Sequence, residues 1–361
     1  MIEFIDVHKK YGDVQVLSKI NLKVRRGEFL TLLGPSGSGK TTLLNIISGL
    51  IKPTGGKLLI DGKDTANMRP GERGLGMVFQ NYALMPHMTV FDNIAFPLRV
   101  RKVAEAEIRQ RVSDVLKLVR LPDIGKRKPK ELSGGQQQRV SLARCIVYSP
   151  SLILMDEPMG ALDKKLREQM QFEIKQLHAD LGITMINVTH DQEEALTLSD
   201  RIVLMNQGCV EQEGDPKDLY FNPRTVFAGD FIGGGNFLEG TVTSSSAESV
   251  EVEASGNRIR CRRSNMPAAG TGKVTVLIRP ENLCLTEIVG GATSAGEGLQ
   301  NTLLANVIDH LVLGGVVKHR LVLDSGKELL AQQVNRLGSR IFNKGERVEV
   351  SFSPDSATVL S

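Results

Sequence analysis

Short apolar runs alternate with amphipathic stretches over the first 235 residues of the chain. Runs rich in branched residues and too short for helices are predicted to be buried strands: Phe29–Leu33, Leu152–Met155, Thr184–Val188 and Arg201–Met205. Stretches with a helical period lie between them: one opening at Gly39–Lys40, Glu105–Val119, one after Gly135, and Lys164–Leu181. This alternation predicts a mainly parallel sheet with crossover helices.

The pattern changes after the glycines at positions 233–235. The rest of the chain has no long helical period, and turn residues separate its predicted strands: Gly240–Thr243, Ser249–Val252, Lys273–Ile278, Leu303–Ile308, Val316–Leu323 and Arg347–Phe352. This predicts a small, barrel-like all-β domain. We therefore divide the chain into residues 1–235 and 236–361, and its length of 361 residues also favours two domains.

Composition excludes several classes of protein. With 41% hydrophobic and 24% charged residues, the chain can bury a core, which excludes a disordered or collagen-like protein. The longest stretch without a charged side chain, from Gly74 to Phe91, is interrupted by polar residues, so no membrane-spanning helix is predicted. The N-terminus lacks the pattern of a secretory signal, which predicts a cytosolic protein. Four scattered cysteines predict neither a zinc site nor disulfides, but reduced and mostly buried thiols.

A basic segment runs from Arg99 to Lys130 in a chain whose net charge is only +4. Such a segment can bind nucleic acid, but no aromatic residue interleaves with this one. Its apolar residues instead share one helical face: Ile108, Val112, Val115, Leu116 and Val119. We therefore expect a solvated helix lying over a core and no nucleic-acid partner.

A glycine-rich loop follows the predicted strand Phe29–Leu33 directly. It has the Gly-x-x-x-x-Gly-Lys-Thr pattern and comprises Gly34, Pro35, Ser36, Gly37, Ser38, Gly39, Lys40, Thr41 and Thr42. In such a loop, backbone N–H groups and the start of a helix face phosphate oxygens, and the lysine reaches the outer phosphates. The hydroxyl of Thr41 can bind Mg²⁺. The strand, loop and helix together predict a phosphate site.

Two acids end the apolar run Leu152–Met155. Asp156 stands where a carboxylate faces the phosphates, and Glu157 is placed to polarise an attacking water molecule. The alternative is an acidic cluster at a helix N-terminus. It would explain one acid, but neither the apolar run before the pair nor Pro158 after it.

A second glycine-containing motif, Leu132–Gln136, precedes another helical run. Its residues Ser133, Gly134, Gly135 and Gln136 offer a hydroxyl and N–H groups at a helix start, which can bind an anionic oxygen. Taken alone, the motif could equally be a flexible turn and helix cap.

Together with the phosphate loop and the acid pair, LSGGQ at 132–136 resembles the signature of the ATP-binding subunits of ABC transporters. The resemblance covers residues 1 to about 235. It implies an α/β P-loop NTPase with a RecA-like core and a helical subdomain at about residues 85–150. It also implies further site residues: Tyr11 stacked on adenine, Gln80 of the Q-loop, Asp163 of the D-loop and the switch histidine His190.

The D-loop departs from the usual pattern of the family. Gly160 stands before Ala161, Leu162 and Asp163, where a serine is common. The missing hydroxyl puts in doubt any side-chain role at position 160.

The resemblance also implies a mechanism with ATP and Mg²⁺. Glu157 would activate water, Thr41, Gln80 and Asp156 would hold the metal, and Lys40 and His190 would stabilise charge on the γ-phosphate. Two copies would pack head to tail. The partner copy would then complete each ATP site with Ser133, Gly134, Gly135, Gln136 and Asp163.

The segment Asn81–Phe91 follows the Q-loop, where the family docks a helix of its membrane subunit. Met85, Met88 and Phe91 suit an adaptable apolar groove. The alternative is ordinary core packing, above all for Val90 and Phe91. We expect His87 to be an exposed loop residue.

The C-terminal part resembles the transport-associated OB-type domain of importer ATPases. The resemblance rests on Gly235–Gly240 and Val276–Glu281, and it implies a small all-β OB-like barrel with a regulatory or dimer-bracing role.

The leading hypothesis is the energy-coupling subunit of a binding-protein-dependent ABC importer at the cytoplasmic face of the inner membrane. Its partners would be a second copy, membrane permeases and, indirectly, a periplasmic or extracellular solute-binding protein. We expect a polyamine, ferric iron or phosphonate as solute; a sugar or sulfate importer is the alternative. A non-transport ABC ATPase is disfavoured, because only 92 positions separate Lys40 from Leu132, too few for a long coiled-coil insertion, and the chain has one cassette.

Overall fold

The computed structural model describes residues 2–160, 162–246, 249–262, 272–288 and 301–360. The chain forms two compact units, Met1–Pro216 and Lys217–Ser361. The strands of the first unit are β1 (Ile2–Tyr11), β2 (Val14–Val24), β3 (Phe29–Leu33), β4 (Gly55–Ile60), β5 (Lys63–Asp64), β6 (Leu75–Val78), β7 (Leu152–Asp156), β8 (Thr184–Thr189), β9 (Arg201–Asn206) and β10 (Cys209–Gly214). Its helices are α1 (Lys40–Ser48), α2 (Val90–Val100), α3 (Glu105–Leu118), α4 (Gly134–Ile146), α5 (Lys164–Leu181) and α6 (Gln192–Leu198).

The central sheet of the first unit has the strand order β10-β9-β3-β8-β7-β6. Its pairs are parallel except for β10 with β9. Every residue of β3 and β8 is buried, as expected for interior strands covered on both faces. The prediction of a parallel α/β sheet is confirmed, and its four predicted strands, β3, β7, β8 and β9, differ from the observed ones by at most one residue at their ends.

Side chains of the central sheet alternate between two separate cores. Along β7, Ile153 and Met155 join the core that contains helices α2 to α5. Leu152 and Leu154 point the other way and join the core that contains α1 and the N-terminal strands. This alternation follows from the two-residue period of a strand, and each buried aliphatic side chain contributes about 1.5–3 kcal/mol.

The first unit also contains an antiparallel sheet with the order β2-β1-β4-β5, which was not predicted. A signal was present in β2, where Ile20, Leu22 and Val24 are buried and the residues between them are exposed. Such strict alternation is typical of a strand with one buried face.

Helices α2, α3 and α4 pack against one another within the first core. The five residues predicted to share one helical face of the basic segment, Ile108, Val112, Val115, Leu116 and Val119, are all buried there, so the prediction of a solvated helix over a core is confirmed. Helix α2 was not predicted. It begins after Thr89, whose hydroxyl accepts a hydrogen bond from the backbone N–H of Asp92 at 3.1 Å.

The second unit begins with two short helices, α7 (Pro216–Phe221) and α8 (Val226–Phe231). Its strands are β11 (Asn236–Ser245), β12 (Ser249–Ala254), β13 (Asn257–Arg262), β14 (Lys273–Ile278), β15 (Cys284–Glu287), β16 (Asn301–Leu313), β17 (Val316–Leu323), β18 (Glu328–Val334), β19 (Arg347–Phe352) and β20 (Ala357–Leu360). A closed barrel has the order β11-β12-β13-β20-β14, and a second sheet has the order β15-β19-β16-β17-β18. The all-β prediction is confirmed. Three strands of the second sheet, β16, β17 and β19, were predicted, but the sequence pattern did not indicate that they form a sheet separate from the barrel.

The compact units divide closer to the N-terminus than residue 235. Helices α7 and α8 are held to the barrel by Arg279, which follows β14. Its guanidinium donates to the carbonyl oxygens of Gly229 at 2.6 Å and Tyr220 at 2.8 Å, and also to that of Gly234. The functional boundary at residue 235 stays a prediction.

Two further observations bear on the expectations from composition. Among the described residues, no helix combines the length and apolarity needed to cross a lipid bilayer. Cys145 and Cys261 are buried, whereas Cys209 and Cys284 are exposed, so the expectation of mostly buried thiols was wrong for two of them.

The C-terminal end of α1 is closed by a buried arginine. Arg73 donates to the carbonyl oxygens of Ile46 and Ile47, both at 2.7 Å, and to that of Thr65 at 3.2 Å. The last carbonyls of a helix lack intrahelical partners and carry a partial negative charge. Arg73 therefore supplies both donors and charge at this end of the helix.

We expect Arg73→Met to lower the free energy of unfolding by about 3 kcal/mol, because buried carbonyls would lose their donors. Urea denaturation measures this change. The control is Arg69→Met, at an exposed position on the same loop, with an expected effect within about 0.5 kcal/mol. Equal losses in the two variants would contradict the capping role.

Candidate functional site

The carboxyl ends of neighbouring parallel strands meet at one edge of the central sheet. Leu33 at the end of β3 is level with Thr189 of β8, Val188 is level with Asp156 of β7, and Met155 is level with Val78 of β6. The phosphate loop, His190, the acid pair and Gln80 follow these strand ends. Ligands of open parallel sheets bind at this edge.

The phosphate loop fits its glycines closely. Gly39 has a φ of 99°, and a Cβ there would lie 2.6 Å from Cδ2 of Leu17. A Cβ at Gly34 would lie 2.2 Å from the carbonyl oxygen of Met205. Because glycine has no Cβ, the backbone at both positions can come this close to its neighbours and form the tight turn that leads into α1. Such a turn can accommodate a chain of phosphates at the helix N-terminus.

Lys40, the first residue of α1, is buried beneath this loop. Its Nζ donates to the carbonyl oxygens of Gly34 at 2.7 Å and Pro35 at 2.8 Å. Burial lowers the pKa of Lys40, and the charges of Glu157 and Asp156 oppose that shift. The ammonium group therefore lies between the loop and the two acids, where it can offset phosphate charge.

Asp156 and Thr41 form an oxygen-donor pair. The Thr41 hydroxyl donates to Oδ1 of Asp156 at 3.4 Å. Burial, followed by the neighbouring charge of Glu157, raises the pKa of Asp156. A carboxylate beside a hydroxyl, with further oxygen ligands from phosphate and water, is a donor set that Mg²⁺ prefers. These residues fit a magnesium ion.

Glu157 connects the predicted catalytic side chains. Its Oε2 accepts from Nε2 of Gln80 at 3.3 Å, and its Oε1 lies 3.0 Å from Nδ1 of His190. The Glu157 side chain is 24% exposed and that of His190 is 58% exposed. A carboxylate held at both oxygens and still open to solvent can accept a proton from water.

The backbone of Glu157 is strained. Its φ is 44°, in the left-handed region, and its N–H donates to the carbonyl oxygen of Val188 at 2.9 Å. A left-handed residue other than glycine costs about 1–2 kcal/mol. The hydrogen bond to β8 keeps Glu157 in this conformation, which orients its side chain at the strand end.

The signature residues lie at the start of α4. The Ser133 hydroxyl accepts from the backbone N–H of Gln136 at 3.4 Å, and the Gln136 side chain accepts from the N–H of Ser133 at 3.0 Å. This reciprocal pair is a capping box. Gly134 and Gly135 form the first turn of the helix. The helix-cap interpretation is therefore correct for the single chain, and the binding of a partner's ATP stays a prediction.

The D-loop lies between the acid pair and α5. Asp163 caps α5, with its Oδ1 accepting from the N–H of Leu166 at 2.9 Å. A Cβ at Gly160 would lie 3.5 Å from the carbonyl oxygen of Glu157 and 3.7 Å from Nε2 of Gln80, at ordinary contact distances. A side chain would fit at position 160. Ala161 of the same motif lies outside the described residues.

Tyr11 ends β1 and is 47% exposed. The Nζ of Lys9 lies 4.8 Å from the centre of its ring. An exposed ring of this kind can stack on a base, and its role toward adenine stays a prediction.

The segment after the Q-loop is partly buried. Val90 is buried, so the core-packing alternative holds for it, while Met85, Met88 and Phe91 are half-buried and His87 is exposed as expected. The buried Asn93 of α2, which was not predicted, holds this segment in place. That amide accepts from the N–H of Met85 at 2.8 Å and donates to the carbonyl oxygens of Met85 at 3.1 Å and Thr89 at 2.9 Å.

A buried polar cluster behind His190 was also missed. Glu194 of α6 accepts from Nδ2 of Asn187 at 2.7 Å and from the hydroxyl of Thr189 at 3.2 Å. Burial raises the pKa of Glu194 to about 7, and these two hydrogen bonds oppose that shift. The only sequence signal was the occurrence of Asn187 inside an apolar strand. The cluster supports the end of β8 from which His190 extends.

We expect the contribution of Glu194 to the free energy of unfolding to fall as the pH rises from about 4.5 to about 7. The folded protein keeps the Glu194 proton up to a higher pH than the unfolded chain, whose carboxyl titrates near 4.5. The free energy of unfolding therefore loses about 3 kcal/mol of the Glu194 contribution between these two pH values. Glu194→Gln removes the dependence, so its stability relative to wild type should increase with pH in denaturation series at pH 4.5 to 8.

The control for this series is Glu168→Gln, at an exposed position of α5. Its profile should be parallel to that of the wild type. A constant stability difference between wild type and Glu194→Gln across the series would contradict the assignment.

Two protein-family models match parts of the chain. The family model described as ABC transporter matches residues 17–160, and the family model described as TOBE domain matches residues 276–360. The chain is 42% identical to the spermidine/putrescine import ATP-binding protein PotA of Haemophilus ducreyi, over 96% of this chain and 90% of that protein. It is also 42% identical to the protein of the same name from Nitrosomonas eutropha, over 100% of this chain and 98% of that protein.

Solved structures resemble part of the chain. The dimeric post-hydrolysis state of the ATP-binding cassette MJ0796, bound to ADP and Pi, is 37% identical with a TM-score of 0.54, covering 60% of this chain and 99% of that one. The protein cbiO1 from Clostridium perfringens, part of the ABC transporter complex cbiONQ, is 31% identical with a TM-score of 0.57, covering 60% of this chain and 89% of that one.

Proposed function

Because the chain belongs to the ATP-binding subunits of ABC transporters and hydrolyses ATP, we propose that it powers polyamine import through membrane partner subunits. The observation that carries the catalytic assignment is the Glu157 carboxylate, which contacts both Gln80 and His190 beside the Thr41–Asp156 pair.

In the proposed mechanism, Glu157 accepts a proton from the water that attacks the γ-phosphorus in line with the leaving oxygen of ADP. The phosphate loop N–H groups and Lys40 stabilise the charge on the phosphate oxygens. His190 keeps Nδ1 toward Glu157, so the opposite nitrogen, Nε2, is the one that would face the γ-phosphate. The products are ADP and inorganic phosphate.

Thr41, Gln80 and Asp156 would hold Mg²⁺. The metal would neutralise charge on the outer phosphates of ATP. The contact between the Thr41 hydroxyl and the Asp156 carboxylate supports this part of the proposal, because it brings two oxygen ligands to the end of the phosphate loop.

The proposed working unit is a head-to-tail homodimer. The chain has one phosphate loop and one signature motif, so a single copy would coordinate ATP from one side only. The dimeric state of the similar cassette bound to ADP and Pi supports a dimeric unit. The partner copy would contribute the signature and D-loop residues: Ser133, Gly134, Gly135, Gln136 and Asp163.

Polyamine is the proposed solute because the relatives named for spermidine and putrescine import align with nearly the whole chain. This choice favours one of the three solutes expected from the sequence over ferric iron and phosphonate, and over the sugar and sulfate alternative. The solute itself would be recognised by permease and binding-protein partners. The chain would act at the cytoplasmic face of the membrane, as an ATPase domain over residues 1–235 and an all-β domain over 236–361.

Docking of the permease would use the segment Asn81–Phe91. Its half-buried Met85, Met88 and Phe91 and its exposed Pro86 and His87 form a mixed surface. Asn93 holds the backbone of this surface through its bonds to Met85 and Thr89.

Glu157→Gln should lower kcat at least about 100-fold, because the general base is lost. The variant should still bind ATP, and it should stay dimeric because the bound ATP is not hydrolysed. Steady-state hydrolysis and size-exclusion chromatography with ATP measure both effects. The control is Glu253→Gln, at an exposed position of the second unit, which should keep the wild-type rate. Hydrolysis at the wild-type rate by Glu157→Gln would refute the catalytic assignment.

Uptake by cells tests the solute. In a strain lacking the gene, we expect the wild-type chain to restore uptake of labelled spermidine or putrescine, and Glu157→Gln to fail, because import requires hydrolysis. Ferric iron, phosphonate, sulfate and sugar are the comparison solutes. If the wild-type chain restores uptake of one of these solutes and does not change polyamine uptake, that solute replaces polyamine in the proposal. Tight binding of nucleic acid at physiological salt by a chain that co-purifies with no membrane protein would refute the transport function.

A further inference from the structure

One arginine joins two loops of the site. Arg167 extends from the first turn of α5, and its Nη1 donates to Oδ2 of Asp191 at 2.8 Å. Its Nη2 donates to the carbonyl oxygen of Leu162 at 3.2 Å. Asp191 follows His190 directly, and Leu162 precedes Asp163 directly. The guanidinium therefore holds the D-loop and the switch-histidine loop together.

Both ends of this link are held in place by further hydrogen bonds. At the α5 end, the backbone N–H of Arg167 donates to the carbonyl oxygen of Asp163 at 2.9 Å. At the other end, Oδ1 of Asp191 caps α6 by accepting from the N–H of Glu194 at 3.1 Å, and the N–H of Asp191 donates to the Thr189 hydroxyl at 3.0 Å. The two carboxylate oxygens of Asp191 thus have different partners, one in α6 and one in the arginine.

The link has an energetic cost. Within the described residues, the Nε of Arg167 is buried and has no hydrogen-bond partner. A buried donor without a partner costs about 1–3 kcal/mol and calls for an explanation. The side chains of Arg167 and Asp191 are 32% and 21% exposed, so the pair is shielded from water without being fully removed from it. The contacts of Nη1 and Nη2 with the two loops, and not this unpartnered donor, are what indicate a positioning role.

Positioning matters most for His190. Its ring is largely exposed, and Glu157 contacts it on one nitrogen. The sheet sets the position of Thr189 at the end of β8, but the loop beyond it has no strand partner. A misplacement of about 1 Å in a catalytic group can cost about 100-fold in rate.

We propose that Arg167 is a positioning residue that couples the D-loop to the switch-histidine loop, so that Asp163 and His190 move as one unit. This inference rests on the proposed function, because it requires both loops to act in hydrolysis. In the proposed dimer, the D-loop faces the partner's ATP while His190 serves the chain's own ATP. Arg167 then connects the two ATP sites.

Three variants test the link. Asp191→Asn keeps an oxygen to cap α6 but removes the charge that faces Arg167. Arg167→Lys keeps the charge, but a single ammonium group cannot reproduce the planar fork that reaches both Leu162 and Asp191. Arg167→Met removes both contacts while keeping an apolar stem. If the last variant fails to fold, the first two still test the proposal.

We expect each variant to lower kcat for ATP by about 10- to 100-fold while KM changes less than about twofold, because the phosphate loop is untouched. The Hill coefficient for ATP should fall toward one. Combining Asp191→Asn with Arg167→Met should lower kcat no further than the more severe single variant, since both remove the same interaction.

The matched control is Arg201→Met. Arg201 also forms a shielded ion pair, with its Nε 2.7 Å from Oε1 of Glu28 and side chains 16% and 6% exposed. It lies level with Leu30 near the start of β3, away from the sheet edge that carries the site. This variant should lose stability and keep kcat.

If the Arg167 and Asp191 variants also lose only stability, with kcat and the Hill coefficient unchanged, the positioning role is overturned. Failure of the proposed function gives a different result, in which the wild type itself does not hydrolyse ATP or Glu157→Gln keeps the wild-type rate.

Discussion

Parallel hydrogen bonding among β6, β7, β8 and β3 is the constraint on which the site depends. Because these strands point the same way and lie in register, the loops that follow them emerge at one edge. The phosphate loop, His190, Glu157 and Gln80 are distant in sequence and become neighbours through this alignment. The cores on both faces hold the strands in place, so the apolar packing that stabilises the unit also orders its polar edge.

The site concentrates features that are unfavourable for stability. Glu157 has a left-handed backbone, Lys40 and Asp156 are partly desolvated so that burial shifts their pKa values toward the neutral forms, and Arg167 leaves its Nε without a partner among the described residues. Their mutual contacts offset part of this cost. Charged groups prearranged in this way need little reorganisation when charge develops on a phosphate, which is the physical basis of their proposed roles.

The polar cluster of Asn187, Thr189 and Glu194 extends this organisation behind His190. It replaces apolar packing at the end of β8 with hydrogen bonds, and the raised pKa of Glu194 shows that burial outweighs those bonds. Asp191 connects the cluster to Arg167 and so to the D-loop. A continuous set of hydrogen bonds therefore runs from the interior strand to two loops of the site.

The sequence by itself determined the features that depend on local chemistry. Apolar runs with a short or helical period marked β3, β7, β8 and α5 almost to the residue, and the glycines and Lys40 marked the phosphate loop. It did not reveal the N-terminal antiparallel sheet, the division of the C-terminal strands between a barrel and a second sheet, or the link from Arg167 to Asp191. Only the tertiary structure decided these, because strand order and side-chain pairing depend on residues that are far apart in the chain and leave no local period.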